Sequence, residues 1–419
     1  MTASAHPPDR LFPVAPLGTT TEFASRTSDT HFSKAETETG EIQDGFEHRF
    51  KRWMLQSAAR RLLPGHRVGV CLRHQRRDLD QDGIPVYRRA RDRHTYFGGL
   101  MTCGNVWVCP VCAAKVSERR RQDLRAGIAS HVASGGSVAL LTLTVPHSIQ
   151  HKAFDLVHTL LSLYRRAWSG RSALSGLLEG YAGQVRALEV THGSNGWHPH
   201  LHVLLFFNDT PDLHQAQTTI FDRWSRLVAG AGFGQVSLEH GVSLQDGTHA
   251  SEYATKWGVV EEITKANVKQ ARRAGRTPFA LLADYQAGDL QAGALFAEFT
   301  KAFKGRAQLH WSKGLRDRLG LNNDKTDEQL AAATDARDEV AARITDDDWV
   351  HVVLRHDLRA LVLEVLRNGN EPDLGHLLDQ HRSTSRKTYD EENQRQSRSS
   401  KAYSVSSRKR PPHSGLLSG

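Results

Sequence analysis

The apolar positions in the middle of the chain predict a mixed α+β fold. The apolar run from Ser137 to Val145 is typical of a buried strand, and Phe154 to Trp168 has the period of an amphipathic helix. A hairpin follows, then a helix over Leu213 to Ala229 and a strand over Gln235 to Glu239. The order β-α-β-β-α-β predicts a ferredoxin-like or RRM-like antiparallel sheet, with helices on one face and the other face free.

The predicted hairpin, QVRALEVTHGSNGWHPHLHVLLFF, carries a candidate metal site. Asn195-Gly196 is a strong signal for a two-residue type I′ turn. If these two residues form the loop, Glu189 lies opposite His202. Because side chains alternate along a strand, His200 then shares that face. Cross-strand Cβ atoms lie roughly 4.5–5.5 Å apart, which is close enough for one carboxylate and two imidazoles to hold one divalent cation.

His198 is the third histidine of the HPHLH stretch and is harder to assign. It precedes Pro199 near the turn, so it is a candidate outer ligand or substrate contact, or has no role. Partly exposed histidines on a half-solvated sheet are the alternative to a metal site. Three histidines with a carboxylate in register favour the metal.

The four cysteines of the chain predict a structural zinc site. They are clustered in sequence at Cys71, Cys103, Cys109 and Cys112. In a chain expected to be cytoplasmic, such clustering favours a metal over disulfides. CPVC supplies a tight pair of ligands and Cys103 a third, and either Cys71 or His74 could complete a tetrahedral site. Four free, buried cysteines are the alternative.

Three motifs, taken in order, resemble those of HUH endonucleases. They are LTLT (Leu141 to Thr144), GWHPHLHVLL and EYATKW, and the resemblance covers roughly Cys71 to Leu319. It is specifically to rolling-circle plasmid replication initiators, which often carry a CPxC stretch ahead of the catalytic domain. The resemblance implies an endonuclease of single-stranded DNA that uses Mg²⁺ or Mn²⁺ and a nucleophilic tyrosine, leaving a 5′-phosphotyrosyl bond and a free 3′-hydroxyl.

The resemblance makes Tyr253 the nucleophile and Lys256 its neighbouring cation. The segment Thr248 to Glu262 is predicted to be helical, and residues three apart lie on one helix face. Spacing alone would favour an ordinary amphipathic helix in which Tyr253 and Trp257 face the core, and the motif order and the upstream hairpin are what favour the nucleophile. A phenol with a pKa near 10 is a weak nucleophile at neutral pH, so it needs a cation and a polarised phosphate.

The base that would end the reaction cycle is not assigned by the sequence. The resemblance implies a glutamate about one helical turn before the tyrosine, where this chain has His249. Glu252 would be rotated roughly 100° from Tyr253 on a helix, and Asp246 precedes Gly247. His249, Glu252 and Asp246 are therefore all candidates.

Charge and composition divide the chain into five regions. Residues 1–44 and 381–419 are predicted to be disordered, the second as a basic tail. Residues 45–130 form a basic, Cys-rich region that we expect to bind DNA, because positions 49–125 hold 18 Lys/Arg against 6 Asp/Glu. Residues 131–322 are the predicted catalytic domain, and 323–380 a helical accessory region.

The predicted elements after the catalytic tyrosine are mostly helical. Ala307 to Leu319, AQLHWSKGLRDRL, is expected to be a short strand that runs into a helix. Asp327 to Ile344 and Asp348 to Asn368 are then predicted to be two helices, which would serve origin binding or self-association.

The net charge of +9 favours a polyanionic partner, which we expect to be origin DNA. No signal peptide or membrane span is predicted, so a cytoplasmic location is expected. The chain has no Gly-Lys-Ser/Thr phosphate-binding motif, so a host helicase would unwind the origin and a host DNA polymerase would extend the 3′-hydroxyl.

Four alternatives remain open from the sequence. A transposase or a conjugative relaxase would use the same chemistry on a different DNA. A two-His-one-carboxylate site also occurs in non-haem iron oxygenases, although that function would leave Tyr253, Lys256 and the basic region without a role. A non-enzymatic, zinc-bearing DNA-binding regulator would bind duplex DNA without cleaving it.

Overall fold

The computed structural model describes residues 39–79, 82–237, 241–247, 275–321, 325–332 and 338–382, with side chains from residue 47 onward. The described strands are, in chain order, β1 (Ile84–Arg88), β2 (Thr95–Phe97), β3 (Ser137–Thr144), β4 (Tyr181–Gly193), β5 (Gly196–Phe207), β6 (Val242–Asp246), β7 (Leu309–Trp311) and β8 (Glu339–Ile344). The described helices are α1 (Thr39–Leu62), α2 (Pro110–Ala133), α3 (Ala153–Ala167), α4 (Leu174–Leu177), α5 (Leu213–Gly230), α6 (Pro278–Gln286), α7 (Leu290–Ala302), α8 (Leu315–Arg318), α9 (Asp327–Ala332), α10 (Asp346–Asp348), α11 (Arg359–Asn368) and α12 (371–382).

A five-stranded antiparallel sheet positions the candidate site. Its strand order is β6-β3-β5-β4-β7, and β4 and β5 form its long central hairpin. The order β3-α3-β4-β5-α5-β6 along the chain confirms the predicted succession of strands and helices, with the short α4 added before β4. The α+β class is therefore confirmed.

One face of this sheet forms the main core. Leu201, Val203 and Leu205 of β5 point to this face and are fully buried. Helices α3 and α5 cover it with their apolar sides, for which Leu160 and Trp224 are the central contacts. Trp224 also donates its indole N–H to the carbonyl of Thr144 at 2.9 Å, which ties α5 to the end of β3.

The opposite face is only half free, which corrects the prediction of an open face. Leu204 and Phe206 of β5 are fully buried there, beneath Leu124 and Ile128 of α2 and Leu315 of α8. Helix α2 starts in the Cys-rich region, so that region packs directly on the sheet. The part of this face that stays accessible is the end next to the β4-β5 turn.

The predicted helix over Asp327 to Ile344 is wrong in its second half. Helix α9 ends at Ala332, and Glu339–Ile344 is strand β8, which pairs with β1 in a second sheet of order β2-β1-β8. Phe97 and Trp349 meet edge to face in its core, with ring centroids 5.0 Å apart. The Cys-rich region and the C-terminal segment thus share one sheet and one core.

Two smaller predictions also change. Residues 235–237 are not a strand, and the fourth strand of the predicted order is β6, where Val242 and Leu244 alternate into the core. Helix α1 begins at Thr39, within the segment predicted to be disordered. The strand-to-helix prediction for Ala307 to Leu319 is confirmed by β7 and α8. Within the described part of the chain, no helix has the length and apolarity needed to cross a membrane.

Candidate functional site

The loop of the hairpin lies one residue earlier in the chain than predicted, and this changes the strand register. Gly193 pairs with Gly196, so Ser194 and Asn195 form the loop, and Glu189 lies opposite His200. The backbone dihedral angles explain this position of the loop. Gly196 has a φ of 84°, whereas neither loop residue has a positive φ. A type I′ turn needs positive φ at both loop residues, so the turn instead resembles a type I turn followed by a left-handed glycine.

The metal-ligand face survives this shift. Moving the loop by one position moves the cross-strand partner of Glu189 by two residues, and two residues is one full period of strand alternation. Glu189, His200 and His202 therefore still share a face. Their ligand atoms all lie within 4.8 Å of one another.

Glu189 lies between the two imidazoles. Its Oε2 is 3.2 Å from Nε2 of His200 and 3.6 Å from Nε2 of His202. All three side chains are half-buried, with 29%, 15% and 19% of their surfaces exposed. The three ligand atoms therefore converge on one point while the site stays accessible from one side, as a catalytic metal site requires.

Thr142 of β3 supports His202 from behind. Its hydroxyl lies 3.0 Å from Nδ1 of His202, and cross-strand pairing places Thr142 directly opposite that histidine. If Nε2 held a metal, Nδ1 would carry the proton and donate to the hydroxyl, which would fix the tautomer and the ring. Thr142 belongs to the LTLT motif, but the motif by itself predicts no role for it. The signal was its position on the polar side of an otherwise apolar strand.

The electrostatics suit metal binding. Burial would raise the pKa of Glu189, but the hydrogen bond and charge of His200, with the charge of His202, hold it below its usual value. Burial lowers the pKa of His202, against the attraction of Glu189 and with the help of the charge of His200. At neutral pH this favours an ionised carboxylate and a neutral imidazole, the protonation states that a metal ligand needs.

His198 lies beside this cluster and outside the ligand set. Its ring stacks on that of His147, with centroids 4.7 Å apart, and its centroid is 5.4 Å from that of His200. Burial lowers the pKa of His198 to about 4, with further contributions from the charges of His200 and His147. The position suits a substrate contact better than a ligand.

The four cysteines meet in a second cluster. Cys71 Sγ lies 3.4 Å from Cys112 Sγ and 3.8 Å from Cys109 Sγ, and Cys103 Sγ is 3.8 Å from Cys112 Sγ. A tetrahedral zinc with Zn–S bonds of about 2.3 Å places its sulfurs about 3.8 Å apart. The four buried sulfurs form the group, so Cys71 and not His74 is its fourth member.

Donors from the surrounding chain point at these sulfurs. The backbone N–H of Cys103 donates to Cys71 Sγ at 3.3 Å, and the side-chain amide of Gln56 donates to Cys109 Sγ at 3.2 Å. Burial would raise the pKa of the Cys109 thiol, but hydrogen bonds from the other three thiols hold it well below its usual value. Hydrogen bonds within the cluster and burial raise the pKa values of the Cys71 and Cys112 thiols, so without a metal the cluster favours one thiolate, at Cys109.

A buried arginine stands behind this cluster. Arg359 of α11 has no exposed surface and donates to the side-chain oxygen of Gln56 at 2.6 Å and to Asp357 at 2.8 Å. Its guanidinium also lies 4.7 Å from the ring centroid of Trp53. The C-terminal segment therefore reaches Cys109 through a single bridging side chain.

Four predicted site residues lie outside the described residues: His249, Glu252, Tyr253 and Lys256. Asp246 is described, at the end of β6. It pairs with Ala139, whose side chain belongs to the helix-covered face, so Asp246 lies on the opposite face from Glu189. The flanks of the segment that contains Tyr253 are tied to the sheet, at Gly247 beside Val138 and at Arg276 beside His192.

Two comparisons with known proteins point to a family of replication proteins. The sequence model described as "Replication protein" matches residues 100–352. "Protein rep" of Streptomyces lividans is 29% identical over 357 residues, a match that covers 65% of this chain and 77% of that protein. "Neomycin resistance protein" of Streptomyces cyanogenus is 29% identical over 153 residues, covering 30% of this chain and 35% of that protein. No solved structure matches the chain at a significant level.

Proposed function

Because this chain belongs to the replication protein family, we propose that it starts rolling-circle replication of a plasmid by nicking and rejoining one strand of origin DNA. The observation that carries the proposal is the cluster of Glu189, His200 and His202 at the accessible end of the sheet. Family membership alone gives a replication protein. The cluster supports a specific reaction, the metal-dependent cleavage of one DNA strand.

The sheet supports an HUH-type nickase domain. Along the chain, β3, β4, β5 and β6 are the first to fourth strands of the β-α-β-β-α-β unit, and they lie side by side in the order fourth, first, third, second. This is the order of a ferredoxin-like sheet, with both long helices on one face. The candidate metal ligands come from its third strand, β5, and from the neighbouring second strand, β4.

The resemblance implies Mg²⁺ or Mn²⁺ as the cofactor, and the carboxylate of Glu189 with the imidazoles of His200 and His202 would hold it. A bound divalent ion would polarise the nonbridging oxygens of the scissile phosphate. The protein itself orients the ligands through Thr142 and keeps Glu189 ionised. Half-buried ligands leave room for a phosphate.

Tyr253 is the proposed nucleophile. Its oxygen attacks the phosphorus, and the bond to the 3′ oxygen breaks. The products are a 5′-phosphotyrosyl link and a 3′-hydroxyl that has taken up a proton. Lys256 would stabilise the phenolate and the charge of the transition state. A host polymerase would extend the hydroxyl, and a host helicase would unwind the duplex.

Chain length allows Tyr253 to reach the metal ligands. Tyr253 is six residues beyond Gly247, whose N–H donates to the carbonyl of Val138. Val138 is four residues before Thr142, roughly 13 Å along the strand. Six residues can span up to roughly 20 Å when extended and about 9 Å as the predicted helix, to which the tyrosine side chain adds its own length.

Of the three candidates for the terminating base, His249 and Glu252 remain in the proposal. Asp246 is less suited, because it lies on the helix-covered face at the end of the strand pair farthest from Glu189. Reversal of the tyrosyl link needs a base on the same side as the phosphate.

The Cys71, Cys103, Cys109 and Cys112 cluster is proposed to bind one structural Zn²⁺. Its sulfur separations match a four-thiolate site, and its burial leaves no room for a substrate. The zinc would hold the basic region against the sheet, where α2 begins at the CPVC turn.

The decisive experiment is trapping of a covalent adduct. The protein is incubated with single-stranded oligonucleotides from a candidate plasmid origin and Mn²⁺, and a denaturant-stable protein-DNA adduct is expected. Tyr253→Phe should abolish both nicking and adduct while keeping DNA binding, because only one hydroxyl is removed. Peptide mapping should find a 5′-phosphate on Tyr253.

An adduct on another residue, or a 3′-phosphoryl linkage, would overturn the mechanism. Cleavage of a mobile-element end or a transfer origin in preference to a replication origin would instead assign the chain as a transposase or a relaxase. Binding to duplex DNA without cleavage in any metal would indicate a regulator.

A further inference from the structure

A groove with a volume of about 1120 Å³ lies along the edge of the five-stranded sheet formed by β7. We call it the basic groove. Its other wall is formed by α2 and α9, and it has six cationic side chains: Arg67, Arg119, Arg120, Arg306, Arg316 and Lys325. The acidic side chains in its lining are Asp123, Asp327 and Glu328.

The basic groove begins close to the candidate metal ligands. Ala187 of β4 pairs with His202 on one side and with Leu309 of β7 on the other. Cross-strand partners share a face, so Leu309 lies on the same face as His202, two strands away, at roughly 10 Å. Leu309 is part of the groove lining. A DNA strand that leaves the metal ligands toward β7 needs to cross only β4 to enter it.

Two of the six cations, Arg119 and Lys325, are exposed and available to an anionic ligand. Arg306, by contrast, donates to the carbonyl of Ala302 and lies over the ring of Phe154. Arg67, Arg120 and Arg316 form ion pairs with Glu328, Asp327 and Asp123. Arg119, Arg306 and Lys325 have no carboxylate partner among the residues that the structure describes. One nitrogen of Arg120, Nη1, is also buried without a hydrogen-bond partner there. The groove therefore has a positive excess.

An aromatic ring adds a second kind of contact. Trp311 of β7 is half-buried in the groove lining, and the guanidinium of Arg316 lies over it, 5.2 Å from the ring centroid. Indole rings and guanidinium planes are the surfaces on which unpaired bases stack. A duplex keeps its base faces hidden, so it would use the charges of the groove but not Trp311.

From these features we infer that the basic groove binds the single-stranded origin DNA that flanks the scissile phosphate. The inference rests on the proposed nickase function for the direction from which the strand arrives. Arg119 and Lys325 neutralise phosphates, and Trp311 with Arg316 receives a base. The groove holds the strand without reading its sequence, because neither contact distinguishes one base from another.

The test compares two double variants of equal charge change. Arg119→Gln/Lys325→Gln removes two exposed groove cations that have no described carboxylate partner. Arg171→Gln/Arg226→Gln removes two exposed arginines outside the groove. Binding to oligodeoxythymidines of about 6 and about 20 nucleotides is measured by fluorescence anisotropy without metal, over a range of salt concentrations.

The wild-type protein and the Arg171→Gln/Arg226→Gln control should bind the longer oligonucleotide more tightly, because it spans both the metal face and the groove. The groove variant should lose most of that gain, about tenfold at low salt, and its salt slope should fall by roughly 1.4. Its affinity for the shorter oligonucleotide should stay within about twofold. Trp311→Leu should weaken binding of the longer oligonucleotide roughly 5- to 150-fold. Trp311→Phe keeps an aromatic ring and should retain most of the wild-type affinity.

Equal losses in the control variant, an unchanged length dependence, or a loss confined to duplex DNA would each overturn the inference. If Trp311→Leu fails to fold, the exposed Arg119→Gln and Lys325→Gln single variants carry the test. The proposed nickase is tested separately on a cleavable origin oligonucleotide with Mn²⁺. A protein that shows groove-dependent binding but no adduct would refute the nickase and leave the groove assignment intact.

Discussion

The two candidate metal-binding clusters of this protein differ in burial, number of potential ligands and position. The cysteine cluster has four ligands, each at most 2% exposed, at the junction of the N-terminal and C-terminal segments. The Glu189, His200 and His202 cluster has three half-buried ligands on an accessible end of the sheet. A closed set of four suits a structural ion, and an open set of three leaves a coordination position for substrate.

The groups that surround the two clusters also differ. The sulfurs receive N–H donors and have a buried guanidinium nearby, which suits ligands that carry several negative charges. The histidines have Thr142 behind them and a single carboxylate between them. Loss of the first site should therefore affect folding, and loss of the second should affect chemistry.

The largest expected effect is that of Cys109→Ser on stability. It should lose the bound zinc and most of the cooperative thermal transition, because metal binding in such sites supplies folding free energy, about 10–16 kcal/mol in zinc-finger peptides. Elemental analysis and circular dichroism melting measure both. Wild-type protein should contain about one zinc per chain. A freshly purified wild-type protein with no zinc would contradict the assignment.

Glu189→Gln should cause a large loss of nicking activity with little loss of stability. The amide keeps the shape of the side chain but removes the anionic ligand, and metal-assisted charge stabilisation is worth several kcal/mol, or roughly 10³-fold in rate. Nicking rate and melting temperature are compared with those of Glu179→Gln, an exposed control. If Glu189→Gln nicked at the wild-type rate, Glu189 would not be a ligand.

Gln56→Leu should weaken zinc binding by about 10- to 100-fold, the usual cost of losing a partner behind a metal ligand. It removes the donor to Cys109 Sγ and the bridge to Arg359. Competition with a chromophoric chelator measures zinc affinity, and the thiolate bands of the Co²⁺-substituted protein report the ligand field. Gln286→Leu, at an exposed position, is the control. Unchanged affinity with unchanged Co²⁺ bands would show that Gln56 only packs.

Thr142→Val should have the smallest effect. Removing the hydroxyl leaves Nδ1 of His202 without this partner, so Mn²⁺ affinity should fall by about tenfold while zinc affinity stays constant. Mn²⁺ titration by electron paramagnetic resonance measures the first and chelator competition the second. Thr142→Ser keeps the hydroxyl and should behave as wild type. A simultaneous loss of zinc would show that the two clusters are coupled.

Much of the Glu189, His200 and His202 cluster was predictable from the sequence. The alternation of side chains along a strand keeps these residues on one face even when the loop is placed one position wrongly. The Asn-Gly signal placed the loop one position too far along and gave Glu189 the wrong cross-strand partner, yet the three ligands stayed on one face. The period-3.6 helices α3 and α5 were also found to within about two residues, since their apolar faces are clear in sequence.

The remaining features depended on contacts that no local pattern contains. The sequence by itself determined which residues could bind metal and which face of β5 they occupy, because composition and period-two alternation are local properties. Only the tertiary structure decided that Cys71 completes the sulfur cluster, that Glu339–Ile344 is a strand paired with β1, and that α2 closes half of the polar face. Those outcomes join residues far apart in sequence, and their free energy comes from burial and pairing that exist only once the chain has folded.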